Sequence, residues 1–135
     1  MDFHKVANHI TAWLSEYSAS AKSEGYVIGI SGGIDSAVTS TLCALTGKKT
    51  ILLTMPIRQT KAEYERAKNH INHLVQLYPN VITMEIDLTQ SFTQIEKDLP
   101  EEVLLNHLAM ANTRARLRMM TLYAIAQANS CLVAG

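Results

Sequence analysis

The chain has 135 residues, of which 47% are hydrophobic and 18% are charged. This length allows one buried core and is too short for two ordinary domains, so one domain over residues 1–135 is expected. Its 12 lysines and arginines balance 12 aspartates and glutamates, which excludes the long-range attraction to nucleic acid typical of strongly basic proteins.

The first segment, residues 2–23, predicts an amphipathic helix that lies on the core. Its apolar residues recur at helical spacing: Phe3, Val6, Ala7, Ile10, Trp13, Leu14 and Tyr17. Charged residues interrupt the stretch that a signal peptide would need to be apolar, and no window reaches the length of a membrane span. We therefore expect neither a signal peptide nor contact with a membrane.

Residues 26–37 predict a buried strand, a glycine turn and the start of a helix. Val27, Ile28 and Ile30 are apolar on both faces, as in a central parallel strand covered by helices. The turn over residues 31–36 offers backbone N–H groups, serine hydroxyls and the positive end of a helix to an anion such as a polyphosphate. Asp35 would repel phosphates, so a divalent cation between the two is expected.

The rest of the chain alternates helices and strands. We expect a helix over 34–45, a strand over 50–55, a helix over 59–78, a strand over 81–86, short helical turns over 88–99, a long helix over 101–129 and a strand over 130–135. This pattern predicts an α/β fold with three layers, in which a Rossmann-like parallel sheet of order 3-2-1-4 has helices on both faces. The apolar last strand has nothing to cover it, which predicts a longer protein truncated after the fourth strand.

Three smaller features complete the pattern. Met55, at the end of the second strand, is expected to line an adenine pocket, because nucleotides bind at the carboxyl ends of parallel strands. His70 and His73 are expected on a solvated helix face rather than at a metal. Cys43 and Cys131 stand alone in apolar segments, as reduced thiols of a cytoplasmic protein do.

The glycine turn resembles the pyrophosphate-binding loop of the N-type ATP pyrophosphatases, in which Ser-Gly-Gly-x-Asp-Ser holds an ATP that is cleaved between its α- and β-phosphates. It is not a Walker A loop, because no lysine follows the glycines at the required place. The resemblance implies that Asp35 ligates Mg²⁺. It also implies an ATP-binding set of Gly29, Ile30, Ser31, Gly32, Gly33, Ile34, Asp35 and Ser36, to which we add Met55.

A second motif, over residues 111–124, resembles the NAD synthetase pattern of Asn, two variable residues, Ala-Arg-x-Arg-Met and a Leu-Tyr pair. Residues 132–135 resemble the strand that leads into the Gly-Thr-x-Asn motif of that family. By these motifs the chain is similar along its whole length to the ammonia-dependent NAD synthetases. Arg116 matches the family's arginine that contacts deamido-NAD.

This resemblance implies amidation of deamido-NAD to NAD with ammonia, through an acyl adenylate, with release of pyrophosphate and AMP. No nitrilase-like glutaminase domain precedes the first helix, so free ammonia is the expected nitrogen source. The family's remaining motifs follow Gly135, so we expect the 135 residues alone to lack full activity. Two alternatives stay open: a tRNA-modifying ATP pyrophosphatase and a non-catalytic ATP-binding module of the same fold.

Helical spacing suggests which side of the long helix faces the core. One apolar arc comprises Leu104, Leu105, Leu108, Ala115, Met119, Leu122, Tyr123 and Ala126, with Asn112 and Arg116 at its edge. Arg114 and Arg118 fall on the far side of this arc. Because the opposite side also carries Met110, Leu117, Ala124 and Ile125, we expect that side to form a two-fold interface, as in the homodimers of the similar family.

Overall fold

The structure is a computed structural model that describes residues 1–135. Helices and strands alternate along the chain as expected. Their bounds are α1 Phe3–Ser20, β1 Gly25–Gly29, α2 Ile34–Leu45, β2 Lys49–Thr54, α3 Lys61–Leu77, β3 Val81–Glu85, α4 Thr89–Asp98, α5 Glu101–Leu104, α6 His107–Ala128 and β4 Cys131–Val133.

The four strands form one parallel sheet in the order β3-β2-β1-β4, which confirms the predicted topology. β1 lies between β2 and β4, and its Val27 pairs with Ile51 on one side and Val133 on the other. The chain moves outward from β1 through β2 to β3 and then returns to the opposite side of β1. In parallel sheets a ligand crevice opens at the carboxyl ends of the strands where the direction of winding reverses.

Each face of the sheet has its own apolar core. Val27, Ile51 and Leu53 face one core, which Phe92 of α4 and Leu117 of α6 also enter. Ile28 and Leu52 face the other, together with residues of α2 and α3 such as Cys43 and Ile71. Consecutive strand residues therefore enter opposite cores, which is why the strands are apolar on both faces.

The first helix is less buried than its apolar spacing predicts, and the second buries mainly small residues. Within α1 only Ser18 is buried, while Phe3, Trp13 and Tyr17 are exposed. In α2 the residues buried against the sheet are small, including Cys43 and Ala44, and the larger Val38 and Leu45 are half exposed. The expectation that the α1 stripe lies on the core is therefore wrong for most of its length.

The region after β3 also differs from the expectation. Residues 89–98 form a ten-residue helix, α4, rather than short turns, because Phe92 anchors it with no exposed surface. The long helix predicted over 101–129 is broken after the single turn of α5. Asn106 caps α6 by accepting a hydrogen bond from the N–H of Ala109 at 3.0 Å, so α6 begins at His107.

The buried face of α6 matches the predicted arc only in part, at Leu122 and Ala126. Met110, Leu117, Leu122 and Ala126 are buried, whereas Leu108 and Tyr123 are 72% and 61% exposed. The true face is turned by about one residue step, ~100°, from the predicted one. Met110 and Leu117, assigned to a subunit interface, thus pack in the core instead. None of the helices combines the length with the apolar composition that a membrane-spanning segment requires.

Candidate functional site

Two serines hold the glycine turn between β1 and α2. Ser36 Oγ accepts a hydrogen bond from the Ser31 N–H and donates one to the Gly33 carbonyl, both at 3.2 Å. Ser31 Oγ accepts from the Gly33 N–H, also at 3.2 Å. Gly33 is the extended residue before α2, so the first N–H groups of that helix open beside these hydroxyls. The turn therefore has a defined shape and gathers anion-binding groups at one place.

Only glycine fits at position 32. Its backbone is left-handed, with φ +87°, and a Cβ there would lie 2.9 Å from the carbonyl oxygen of Glu63 in α3. Gly29, at the end of β1, is also confined, because a Cβ would lie 3.1 Å from Met55 Cε and 3.4 Å from Leu122 Cδ1. Gly32 therefore lets the turn pack on α3, and Gly29 keeps space open beside the turn.

That space is a cleft of about 350 Å³ at the carboxyl ends of β1 and β2. It lies next to the point between β1 and β4 where the direction of winding reverses. Its lining consists of Gly29, Ile30, Ser31, Met55, Gln59, Glu63, Ala115, Arg118, Met119 and Leu122. Of the predicted ATP-binding residues, Gly29, Ile30, Ser31 and Met55 share this cleft. The others, 32–36, continue the turn from Ser31. A mixed lining of this kind suits a base and sugar on the apolar side and phosphates at the turn.

Arg118 occupies the α6 side of the cleft. Its Nε donates a hydrogen bond to the Met55 carbonyl at 3.0 Å, which joins α6 to the end of β2. Burial lowers the pKa of Arg118, Arg114 lowers it further, and attraction to Glu63 raises it. The placement of Arg118 on the far side of the helix is therefore wrong. Arg114 and Arg118 follow Met110 at i+4 and i+8, so a helical face drawn through Met110 would have found both.

Arg116 and Asp35 are exposed. Arg116 points away from the buried face of α6 and is not part of the cleft lining, so the structure does not bring it together with the turn. Its contact with deamido-NAD stays a prediction. Asp35, in the first turn of α2, takes part in none of the ion pairs of the chain.

Asp35 is the residue predicted to bind a metal ion. The structure has no group of three or more His, Cys, Asp or Glu side chains that could hold a metal ion. Mg²⁺, however, is usually bound by one or two carboxylates together with substrate phosphates rather than by a cage of protein ligands. An exposed, unpaired carboxylate beside a phosphate-binding turn fits that mode of binding.

His70 of α3 is tied to the helix that follows the turn. Its Nε2 lies 2.8 Å from Ser40 Oγ, and that hydroxyl donates to the Ser36 carbonyl at 2.6 Å. Because the hydroxyl proton is donated to that carbonyl, Ser40 Oγ accepts a hydrogen bond from the N–H at His70 Nε2. Burial, and to a lesser degree His73, lowers the pKa of His70. The expected solvated position is wrong for His70, while His73 is exposed.

The two thiols are buried, as expected. Burial raises the pKa of Cys43 to about 12 and also raises that of Cys131. The raised pKa keeps each thiol protonated at neutral pH, whereas the nucleophile in sulfur transfer is the thiolate. Neither cysteine is therefore activated for sulfur transfer. Their environment weighs against the chemistry of a thiolating enzyme.

A family model described as NAD synthase matches residues 6–135. Among curated relatives, the NH(3)-dependent NAD(+) synthetase of Mesoplasma florum is 34% identical over 138 residues, which cover 100% of this chain and 54% of that protein. The protein of the same name from Pyrobaculum aerophilum is 36% identical, with 100% and 50% covered. The chain thus spans about half the length of the curated relatives it matches.

Solved structures give the same picture. The NH3-dependent NAD synthetase from Campylobacter jejuni, in complex with a nitrate ion, superposes with a TM-score of 0.87 at 29% identity, covering 100% of this chain and 56% of that one. The NMN synthetase from Francisella tularensis has the same TM-score at 30% identity, with 98% and 53% covered.

Proposed function

The chain belongs to the NAD synthase family, and on that premise we propose that it binds and activates ATP for the amidation of deamido-NAD to NAD with ammonia. The observation that carries this proposal is the glycine turn, which opens a helix N-terminus and two hydroxyls directly beside the cleft. A site of this form suits a nucleotide polyphosphate.

Each part of the proposed ATP site has a distinct task. Residues 29–36 hold the phosphates through backbone N–H groups and the hydroxyls of Ser31 and Ser36. The adenosine lies in the cleft against Met55, which is buried at its edge. Asp35 would hold Mg²⁺ together with the phosphates, and the ion would offset the charge that develops as pyrophosphate departs.

The proposed reaction has two steps. A carboxylate oxygen of the nicotinate group attacks the α-phosphorus, and the bond to the bridging oxygen breaks to give an acyl adenylate and pyrophosphate. Ammonia then attacks the acyl carbon, loses a proton, and AMP departs with the electron pair of the broken C–O bond. This chemistry needs alignment and charge stabilisation rather than a protein nucleophile, which agrees with the protonated, buried thiols.

Binding of deamido-NAD is proposed for the exposed face of α6. Arg116 lies there beside large exposed apolar side chains, including Met120 and Tyr123. A guanidinium on such a surface can bind a phosphate or carboxylate, and the apolar residues around it suit a second copy of the chain. We therefore propose this face of α6, instead of the side that carries Met110 and Leu117, as the interface of a homodimer. Light scattering that shows a monomer of the full-length protein at micromolar concentration would count against it.

ATP binding is tested by titration calorimetry of the chain with and without Mg²⁺. We expect Asp35→Asn to weaken Mg²⁺-dependent binding by about tenfold or more, since one charge-assisted ligand is lost. Glu16→Gln, an equal loss of charge on exposed α1, is the matched control. Failure of the unaltered chain to bind ATP would refute the proposal.

The acceptor is tested by pyrophosphate release on the full-length gene product. Release that requires deamido-NAD supports the synthetase, whereas release that requires tRNA indicates the modifying enzyme. ATP binding without release under either condition indicates a binding module. Since one structural neighbour is named an NMN synthetase, the deamidated form of NMN is compared with deamido-NAD as the acceptor.

A further inference from the structure

Arg118 is the one basic residue in the lining of the cleft. Its bond from Nε to the Met55 carbonyl fixes the plane of the guanidinium against the end of β2. The two Nη groups have no hydrogen-bond partner within the chain, and Arg118 forms no ion pair. Half-buried N–H donors that are held in place but unpaired are suited to an anionic ligand.

The cleft has a polar end and an apolar side. This arrangement indicates where an anionic group of the ligand would lie. Ser31 marks the end that continues into the glycine turn, whereas Met55 and Leu122 give the cleft its apolar side. In the proposed ATP site the outer phosphates occupy the turn and the adenosine occupies the apolar side. The α-phosphate joins these two parts of the nucleotide, so it lies inside the cleft that Arg118 lines.

We propose, resting on the proposed function, that Arg118 is a catalytic residue that binds the α-phosphate of ATP through its Nη groups. Attack by the nicotinate carboxylate concentrates charge on the oxygens of that phosphorus. A guanidinium already oriented by Met55 stabilises this charge without first having to be ordered. The half-buried position strengthens the interaction relative to one at an exposed surface.

Glu63 is the one acidic residue in the lining of the cleft, and attraction to it raises the pKa of Arg118. It forms no ion pair with Arg118, so the guanidinium is not already neutralised. A purely structural role would need only the bond from Nε to Met55, and stacking on the adenine would need no phosphate. If Arg118 had either of these roles, its loss would weaken adenosine as much as AMP or ATP. If Arg118 binds the phosphate, its loss weakens only AMP and ATP.

The test compares the binding of adenosine, AMP and ATP by calorimetry. Arg118→Gln should weaken AMP and ATP by about tenfold or more while changing adenosine by less than about twofold, because a charged hydrogen bond is lost only with the phosphate. Arg118→Lys keeps the charge without the fork and should fall between. Arg114→Gln removes the same charge one turn away, where Arg114 packs over the Phe92 ring outside the cleft, and should leave all three affinities nearly unchanged.

Adenosine also reports whether the cleft survives the substitution. Equal weakening of all three ligands by Arg118→Gln would show that the arginine shapes the cleft, and would overturn the assignment. Unchanged affinity for AMP and ATP would overturn it as well. Failure of the unaltered chain to bind ATP would instead refute the proposed function itself, so the two failures are distinguishable.

Discussion

Gly32→Ala isolates the contact between the glycine turn and α3. An alanine at φ +87° pays a left-handed backbone penalty of roughly 1–2 kcal/mol. Its Cβ would also lie 2.9 Å from the Glu63 carbonyl oxygen, which adds roughly 1–3 kcal/mol for overpacking against backbone. We therefore expect a loss of about 2–5 kcal/mol in the free energy of unfolding.

Gly47→Ala is the matched control. Gly47 has a similar φ of +74°, yet a Cβ there meets nothing within 4 Å, so only the backbone penalty remains. Urea denaturation of both variants gives the two free energies of unfolding, and their difference measures the contact with α3. Gly32→Ala should also weaken ATP binding, while Gly47→Ala should not. Equal destabilisation by the two substitutions would refute the reasoning.

Three further outcomes follow from packing and protonation. Phe92→Ala should cost about 3–5 kcal/mol in urea denaturation, against less than about 0.5 kcal/mol for Phe3→Ala, because Phe92 is 0% and Phe3 77% exposed. Cys43 should resist a thiol reagent at pH 8 until the chain unfolds. Since burial raises its pKa from 9.0 to about 12, its contribution to stability is full below pH 9 and is lost as the pH rises toward 12. The pKa of His70 is lowered from 6.5, so its contribution to stability has the opposite pH dependence: it is full above pH 6.5 and is lost as the pH falls. His70→Gln should therefore reduce the acid-side slope of stability measured by urea denaturation, whereas His73→Gln should reduce it less, because His73 is the smaller cause of the lowered pKa of His70.

The sheet could be predicted because its residues carry unambiguous patterns. Val27, Ile28 and Ile30 are apolar on both faces, and the glycines that follow them begin a helix. These features imply a central parallel strand with a ligand-binding turn, whatever the rest of the chain does.

The orientation of α6 could not be predicted in the same way. Its large apolar residues surround the helix, so Met119 and Tyr123 were as plausible in the core as Met110 and Leu117. The break at Asn106 also differs from the predicted continuous helix, and it separates Leu104 and Leu105 from α6. The arc that includes Leu104 and Leu105 therefore places Arg118 outside the site, whereas the observed face places it in the cleft lining.

Contacts between residues that are distant in the chain could not be predicted from the local spacing of apolar and polar residues. The hydrogen bond between Ser40 and His70 joins two helices, and neither residue interrupts the spacing of its own helix. Similarly, the fit of Gly32 against Glu63 depends on how α3 lies on the sheet. Such contacts become visible only when the elements are placed in space.

The strand order has a consequence for how the protein acquires its shape during synthesis. β1 pairs with β2, and β2 with β3, through segments that are close in the chain. The other side of β1 pairs with β4, in which Cys131 is the partner of Gly25. Contacts between residues so far apart in the chain form slowly, because a long loop must close first. The nascent chain can therefore form the glycine turn early, whereas α6, which provides one wall of the cleft, is added only after residues 107–128 have been synthesised.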